Sequence, residues 1–293
     1  MSDARPVYIF GEVLFDHFPD GNRVLGGAPF NVAWHLQAFG QSPEMISRVG
    51  NDPEGEQIRA AMASWGMTTR HLQTDPARST GRVAVTFADG EPAYEIIPDC
   101  AYDHIEPEPP AQCALLYHGS LAVRGPTSAA TLRQLRSQGP QSVFIDVNLR
   151  PPWWQPAVLH GLLAAADWVK LNSDELALLA GKPASQETAR EFLQRHGLRG
   201  LLVTRGARGA QLLLAGGECL QVAPQPGTEV VDTVGAGDAF AAVMLLGLLR
   251  EWPMPLTLER AQHFAAALVG RRGATVAELD FYRTFSRQWQ LGD

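Results

Sequence analysis

Short runs of β-branched and aromatic residues alternate with helix-like stretches along most of this 293-residue chain. Because parallel strands need long crossover connections, usually helices, this alternation favours an α/β fold with a mostly parallel sheet covered on both faces. The predicted strands are residues 7–11, 44–49, 115–118, 142–147, 168–171, 201–204, 210–214 and 219–222. The predicted helices are near residues 29–39, 54–65, 127–137, 156–165 and 185–196, and two more helices are expected to close the chain.

Two segments break this alternation. Residues 13–24 and 83–97 alternate apolar and polar side chains around Asp20-Gly21 and Asp89-Gly90, turn pairs typical of hairpins. We expect a small extra sheet, which could close over a bound ligand and exclude water. A surface hairpin without a role is the alternative. No repeat or linker divides the chain, so residues 1–293 are expected to form a single domain.

Composition and charge narrow the function classes. The net charge is −7 and no block of Lys or Arg stands out, which gives little support to a nucleic-acid or membrane partner. Cys100, Cys113 and Cys219 are scattered without metal-site spacing and are interpreted as reduced thiols. The N-terminus lacks a signal-peptide pattern, and the longest apolar stretch, residues 239–249, is too short to span a bilayer. We therefore expect a cytoplasmic protein.

A small-residue loop runs directly into an apolar helix near residue 235. Gly235, Ala236 and Gly237 leave unpaired N–H groups at the helix start, which form a site for a phosphate-like anion. Asp238, in the first turn, could reach a hydroxyl beside that anion, as phosphoryl transfer to an alcohol requires. The helix-start position is expected to lower the pKa of Asp238. An ordinary glycine loop with an N-terminal acid is the alternative for this segment alone.

A second glycine turn lies near the N-terminus. Gly27 permits close backbone approach, and Asn31 lies one turn into the helix that follows. Asp16 follows the first predicted strand and is expected at the same rim, since ligands bind beyond the carboxyl ends of strands in open α/β sheets. A carboxylate and an amide suit neutral sugar hydroxyls, although turn chemistry and a helix start explain the segment nearly as well.

Together these two segments resemble the paired signatures of the PfkB, or ribokinase-like, family of carbohydrate kinases. The resemblance covers nearly the whole chain, in the expected order. It implies a ribokinase-like three-layer αβα sandwich with a mostly parallel central sheet and a small β lid. The residues to which it assigns roles are Asp238 as catalytic base, Gly235, Ala236 and Gly237 as the anion hole, and Asp16, Gly27 and Asn31 as sugar ligands.

Two further segments resemble nucleotide-binding parts of the family. Asn172 and Glu175 are similar to its N-x-x-E motif, in which the acid helps to place Mg²⁺ and the phosphates, here through a metal-bound water. A helix capped by Ser173 explains the same residues. Thr204, with Gly206 and Gly209 after it, is similar to the family's nucleotide loop, although a hairpin turn is the alternative.

His263 lies on the late helix that flanks the adenine pocket in relatives, although a lone histidine on an apolar helix is more often packed. Arg150 ends a segment, Asp-Val-Asn-Leu-Arg, that resembles the D-P-N-L-R of fructokinase-like and 2-keto-3-deoxygluconate kinase-like members, with valine replacing proline. It could contact phosphate or an acidic substrate, or form a structural ion pair. Asp232, Val234 and Gly273 match positions that hold a monovalent cation, such as K⁺, in some relatives.

The resemblance implies transfer of the γ-phosphate of ATP to a primary hydroxyl of a furanose or keto-sugar, with Mg²⁺ on the phosphates. The segments are most similar to those of fructokinases. A 2-keto-3-deoxygluconate kinase is the alternative and needs a cation, such as Arg150 or Arg82, for the substrate carboxylate. A sugar- or nucleotide-binding regulator without turnover is the alternative from another class. Lids pair across dimers in this family, so a homodimer through the lid is expected.

Overall fold

A long sheet runs through the protein and a second, smaller sheet stands beside it. The computed structural model describes residues 5–88, 91–107, 112–224, 227 and 229–291. The strands in this part of the chain are β1 (Val7–Phe10), β2 (Leu14–His17), β3 (Arg23–Gly26), β4 (Glu44–Gly50), β5 (Leu72–Asp75), β6 (Gly81–Ala88), β7 (Glu91–Ile96), β8 (Leu115–His118), β9 (Val143–Asp146), β10 (Trp168–Asn172), β11 (Gly200–Thr204), β12 (Ala210–Leu214) and β13 (Cys219–Val222). The α-helices are α1 (Ala28–Ala38), α2 (Pro53–Ser64), α3 (Pro126–Ser137), α4 (Pro156–Leu163), α5 (Ser173–Ala180), α6 (Gln186–His196), α7 (Ala236–Leu249), α8 (Met254–Val269) and α9 (Leu279–Trp289).

The long sheet has nine strands in the order β13-β12-β11-β10-β9-β8-β1-β4-β5. Its pairings are parallel except β11 with β12 and β12 with β13, which are antiparallel. The predicted strands are all present within two residues of their bounds. Strand β5 was missed because it is short, half polar and paired only with β4 at the sheet edge.

Apolar residues fill both faces of the long sheet, which makes three layers. One cluster packs α1, α2, α7, α8 and α9 against the sheet, and the other packs the opposite face under α3 to α6. Helix α7 is buried almost along its whole length, from Ala239 to Gly247. A helix that is apolar on all sides has to be enclosed. The first cluster and the sheet therefore hold α7 in one position, with its N-terminus at the carboxyl edge of the sheet.

The end of the chain differs from the prediction, because three helices follow β13 instead of two. Helix α7 ends at Leu249, and Pro253 separates it from α8. Glycines at 270 and 273 then separate α8 from α9. Proline cannot continue a helix, and a glycine at positive φ breaks one. None of the helices in the described ranges is long and apolar enough to cross a membrane.

The smaller sheet has four strands in the order β3-β2-β6-β7, and we call it the lid sheet. Its two antiparallel hairpins, β2–β3 and β6–β7, are those predicted from the alternating segments. The first contains the Asp20-Gly21 turn, while the Asp89-Gly90 turn lies outside the described residues. Strands β2 and β6 join the hairpins in parallel. Because β2 follows β1 closely, this sheet stands over the carboxyl edge of the long sheet.

Candidate active site

A cleft of about 480 Å³ opens between the carboxyl ends of the central strands and the lid sheet. Strand register brings its polar residues together: Lys170 lies opposite Asp146, and Asn172 lies opposite Thr204. The predicted site residues that line the cleft are Asp16, Gly27, Asn31, Arg150, Asn172, Glu175, Thr204, Val234, Gly235, Gly237 and Asp238.

The loop before α7 needs glycine at position 235. Gly235 has φ +78°, and a Cβ there would collide with Ala274. The helix begins at Ala236 without a side-chain cap. The Ala236 N–H donates to the Thr233 carbonyl at 3.3 Å, whereas the N–H groups of Gly237 and Asp238 have no backbone acceptor among the described residues. The helix dipole adds partial positive charge at the same point. Gly235 and Gly237 line the cleft, as the predicted anion hole requires, whereas the Ala236 N–H is bonded within the loop, and the anion hole itself stays a prediction.

Asp238 is held by a residue from the other end of the chain. Asn31 Nδ2 donates a 2.8 Å hydrogen bond to Asp238 Oδ2, although the two residues are 207 positions apart. Burial raises the pKa of the Asp238 carboxyl to about 6, while the bond from Asn31 opposes that rise. The prediction that the helix start lowers this pKa was wrong, because desolvation outweighs the dipole.

Arg150 lines the cleft within electrostatic reach of three of its carboxyl groups, those of Glu12, Asp16 and Asp238. It forms no ion pair with any residue that the structure describes, so the structural ion pair considered from the sequence is absent there. Burial raises the pKa of Asp16, and the charge of Arg150 opposes the rise. Glu12, a neighbour that sequence reasoning did not select, is 3% exposed and also lines the cleft.

Asn172 and Glu175 form a capping box at the start of α5. Asn172 Oδ1 accepts the N–H groups of Asp174 and Glu175, so Asn172 is the cap and the suggestion of Ser173 was wrong. The Glu175 carboxylate accepts N–H groups from Asn172 and Leu149. Both side chains nevertheless line the cleft, so the capping and nucleotide-site interpretations are compatible.

Lys170 is a cation that sequence reasoning missed. Its Nζ lies 2.6 Å from Asp146 Oδ2 and 3.2 Å from the position that a Cβ on Gly237 would occupy. Burial lowers the pKa of this ammonium, but the carboxylates of Asp146, Asp238 and Glu175 together raise it overall. The ammonium is therefore charged and lies beside Gly237. In the sequence, the sign of this residue's importance is that a lysine lies inside a mostly apolar strand.

Several predicted residues lie away from the cleft lining. Gly206 and Gly209 belong to the turn after β11, and His263 packs edge-on against Phe285 with ring centroids 5.2 Å apart. Asp232 accepts the N–H groups of Val234 and Gly273, each at 3.0 Å. Asp232, Val234 and Gly273, which were matched to a monovalent-cation position, therefore lie together. Their two hydrogen bonds hold the loop before Gly235.

No cluster of three or more His, Cys, Asp or Glu side chains in the described ranges is arranged to hold a metal directly. Any Mg²⁺ at this cleft would therefore depend on ligand oxygens and water for most of its coordination, which suits its reluctance to dehydrate. The Glu175 carboxylate lines the cleft, and its role toward a metal-bound water stays a prediction.

Comparison of the chain with known proteins shows the family to which it belongs. A model described as "pfkB family carbohydrate kinase" matches residues 5–280. The chain belongs to the PfkB family of carbohydrate kinases. It is a phosphotransferase that acts on a sugar hydroxyl. The regulator without turnover, kept open from the sequence, is thereby set aside.

Three members of the PfkB family illustrate the likeness. A fructokinase of Klebsiella pneumoniae is 33% identical over 262 residues, which cover 83% of this chain and 84% of that protein. Aminoimidazole riboside kinase of Salmonella typhimurium is 30% identical over 300 residues, covering 94% and 93%. The structure of fructokinase from Vibrio cholerae O395 in fructose, ADP and calcium ion bound form matches with a TM-score of 0.82 and 25% identity, covering 95% of this chain and 98% of that one. The predicted ribokinase-like sandwich is confirmed.

Proposed function

We propose that this protein transfers the γ-phosphoryl group of ATP to a primary hydroxyl of fructose. The observation that carries the proposal is the position of Asp238, in the first turn of α7, fixed by Asn31 and adjacent to the amides at Gly235–Gly237. That arrangement combines a base with an anion site, which phosphoryl transfer to an alcohol uses. The choice of fructose rests on the likeness to fructokinases.

Asp238 aligns the acceptor hydroxyl and removes its proton. With a pKa of about 6 the carboxyl is mostly ionised at pH 7, and it is a stronger base than an unperturbed aspartate. The helix-start amides stabilise negative charge on the transferring group. Lys170 adds a fixed positive charge beside Gly237, and Asp146 holds that ammonium in place.

The nucleotide end of the cleft is assigned to Asn172, Glu175 and Thr204, which lie on neighbouring strands β10 and β11 or just after them. Mg²⁺ on the nucleotide neutralises phosphate charge, and Glu175 would hold one of its waters. Gly206, Gly209 and His263 stay predictions for the nucleotide, because they are not in the cleft lining. A K⁺ ion near Asp232, Val234 and Gly273 also stays a prediction.

A neutral acceptor suits the charges of the cleft better than an acidic one. Among the described residues that line the cleft, carboxyl groups outnumber cations, and Lys170 is already paired with Asp146. Arg150 is a lining cation that forms no ion pair within the described part of the chain, so a substrate carboxylate could use it. This balance favours fructose over 2-keto-3-deoxygluconate. Aminoimidazole riboside is a second candidate, because its kinase is 30% identical over nearly the whole chain.

The test is a coupled ADP-release assay with fructose, ribose, aminoimidazole riboside and 2-keto-3-deoxygluconate. We expect the highest kcat/KM with fructose, and a higher value for another sugar would reassign the substrate. The Asp238→Asn variant should lose about 10²–10⁴-fold in kcat. Asp280→Asn is the matched control, since Asp280 is also in the first turn of a helix but is exposed. Near-normal turnover by folded Asp238→Asn would reject the base.

The proposal includes a cytoplasmic location, where ATP is available, and a homodimer through the lid sheet. Tyr94 and Val24, both in the lid sheet, are large apolar side chains that are 58% and 40% exposed. If the lid sheet of a second copy covered this sheet, the two side chains would be removed from water. Sedimentation equilibrium on the wild type and on a Tyr94→Lys variant would test the dimer, and a monomeric wild type would contradict it.

A further inference from the structure

Glu12 is a buried acid in the cleft that the proposed reaction does not use. It comes two residues after β1 and is 3% exposed, yet its side chain contributes to the cleft lining. Its backbone carbonyl lies 2.7 Å from the position that a Cβ on Gly27 would occupy. The strand end that carries Glu12 therefore packs against the glycine turn before α1, which leaves the residue little freedom to move.

One oxygen of the Glu12 carboxyl lacks the partner that a buried polar atom normally has, while the backbone N–H of the same residue stabilises the ionised carboxyl. Its Oε2 atom is buried and forms no hydrogen bond with the residues that the structure describes. Most buried polar atoms in proteins are paired, so an unpaired one in a cleft has its partner supplied by a ligand or by water. The Oδ1 atom of Asn31 is also buried without a partner in the described part of the chain. Both atoms are acceptors that lack a donor.

The surroundings of Glu12 do not offer a substitute. Arg124 is within electrostatic reach of the Glu12 carboxyl, but its guanidinium donates to both carboxylate oxygens of Asp103, and its buried Nη1 forms no hydrogen bond with Glu12 or with any other described residue. Arg150 also affects this carboxyl electrostatically without forming an ion pair with it. Burial raises the pKa of Glu12 to about 7, so protonated and ionised forms coexist at neutral pH. The protonated form can donate as well as accept a hydrogen bond.

We infer that Glu12 is a substrate-binding residue whose carboxyl forms a hydrogen bond with one hydroxyl of the acceptor sugar. This inference rests on the proposed sugar kinase function and adds a contact to the same site. A polyhydroxylated acceptor supplies donors to the unpaired oxygens of Glu12 and Asn31 at the place where Asp238 meets the reacting hydroxyl. An acceptor that lacks the relevant hydroxyl leaves Glu12 unpaired, as the free protein does.

The test is a double-mutant cycle between the residue and the substrate. The wild type, Glu12→Ala and Glu12→Gln are assayed with the preferred sugar and with each of its monodeoxy derivatives. For the complete sugar, Glu12→Ala should lower kcat/KM by roughly 10- to 100-fold, mainly through the KM for sugar, with the KM for ATP unchanged. For one monodeoxy sugar the same substitution should cost less than about threefold. Glu12→Gln, which keeps a donor and an acceptor, should retain most activity.

A merely structural role would give a different pattern. Glu54 is the matched control: it is equally buried, but its carboxylate is paired with Arg23 and Arg82. Glu54→Ala should change the rates with all the deoxy sugars by the same factor. An equal loss on every sugar in Glu12→Ala, or a loss confined to the KM for ATP, overturns the inference. Should Glu12→Ala not fold, Glu12→Met preserves the volume and gives the same comparison.

The two failures are distinguishable. A wild-type protein that phosphorylates no sugar overturns the proposed function itself. A wild-type sugar kinase in which Glu12 and every hydroxyl contribute independently overturns only the assignment of Glu12.

Discussion

Removing the amide of Asn31 should move the pH dependence of the reaction. The Asn31→Ala variant deletes the 2.8 Å hydrogen bond to Asp238 and leaves the carboxylate without its side-chain donor. That bond favours the ionised carboxylate, and burial opposes it. Without the bond the pKa of Asp238 therefore rises above its value of about 6. Because the ionised form is the base, activity should be lost at a higher pH as the solution is acidified.

The size of the shift follows from the strength of the bond. A hydrogen bond to a charged group contributes about 1.5–3 kcal/mol, and one pKa unit corresponds to about 1.4 kcal/mol. Asp238 is partly exposed to the cleft, so water recovers some of the loss and a shift of about one unit is expected. A one-unit shift lowers the ionised fraction about twofold at pH 7 and about fivefold at pH 6.

The assay is the pH profile of kcat/KM, which reports ionisations of the free enzyme. Glu12 titrates in the same range, because burial raises its pKa to about 7, so the comparison is repeated in a Glu12→Gln background. Gln37→Ala is the control, since Gln37 is on the same helix but donates to Gly66. An acid limb at the same pH in wild type and Asn31→Ala would refute the claim that Asn31 stabilises the carboxylate.

Two further variants test the parts around the base. Lys170→Met leaves the buried carboxylate of Asp146 unpaired and should cost about 3–5 kcal/mol of unfolding free energy in urea titrations. Lys182→Met, which breaks an exposed pair, should cost less than about 1 kcal/mol, and equal losses would contradict the role of burial. Gly235→Ala should abolish most turnover, because its Cβ collides with Ala274. Gly197→Ala also has positive φ but open space around it, so it should leave kcat near the wild-type value, and similar kcat values for the two variants would contradict the steric argument.

Local patterns were sufficient to predict most of the fold. The predicted strands and helices depend on runs of apolar residues and on glycine or proline breaks, and each signal lies within about ten residues. The same signals failed where the pattern was weak. Strand β5 is too short and polar to stand out. The breaks at Pro253 and at the glycines 270 and 273 were not enough to predict three closing helices instead of two.

The candidate site was predictable only in part, because its contacts join distant segments. The loop at Gly235 and the turn at Gly27 were visible as motifs, yet the bond between Asn31 and Asp238 spans 207 positions. Lys170 was not selected from the sequence, because a lysine in an apolar strand does not indicate that Asp146 is its partner. His263 packs on Phe285, which agrees with the packed alternative given from the sequence, and its role toward the nucleotide stays a prediction.

The pKa of Asp238 was predicted from the sequence motif to be lowered, but it is raised. A helix N-terminus contributes roughly half an elementary charge and stabilises a carboxylate by about 0.3–1 kcal/mol at an exposed site. Burial acts against the charged form and can shift a pKa by up to several units. The sequence motif indicates the dipole of helix α7. The burial of Asp238 depends on the folded cleft, in which α1, α7 and the edge of the sheet surround the carboxyl group. Desolvation therefore outweighs the helix dipole at Asp238. The pKa of about 6 that results suits proton transfer near neutral pH.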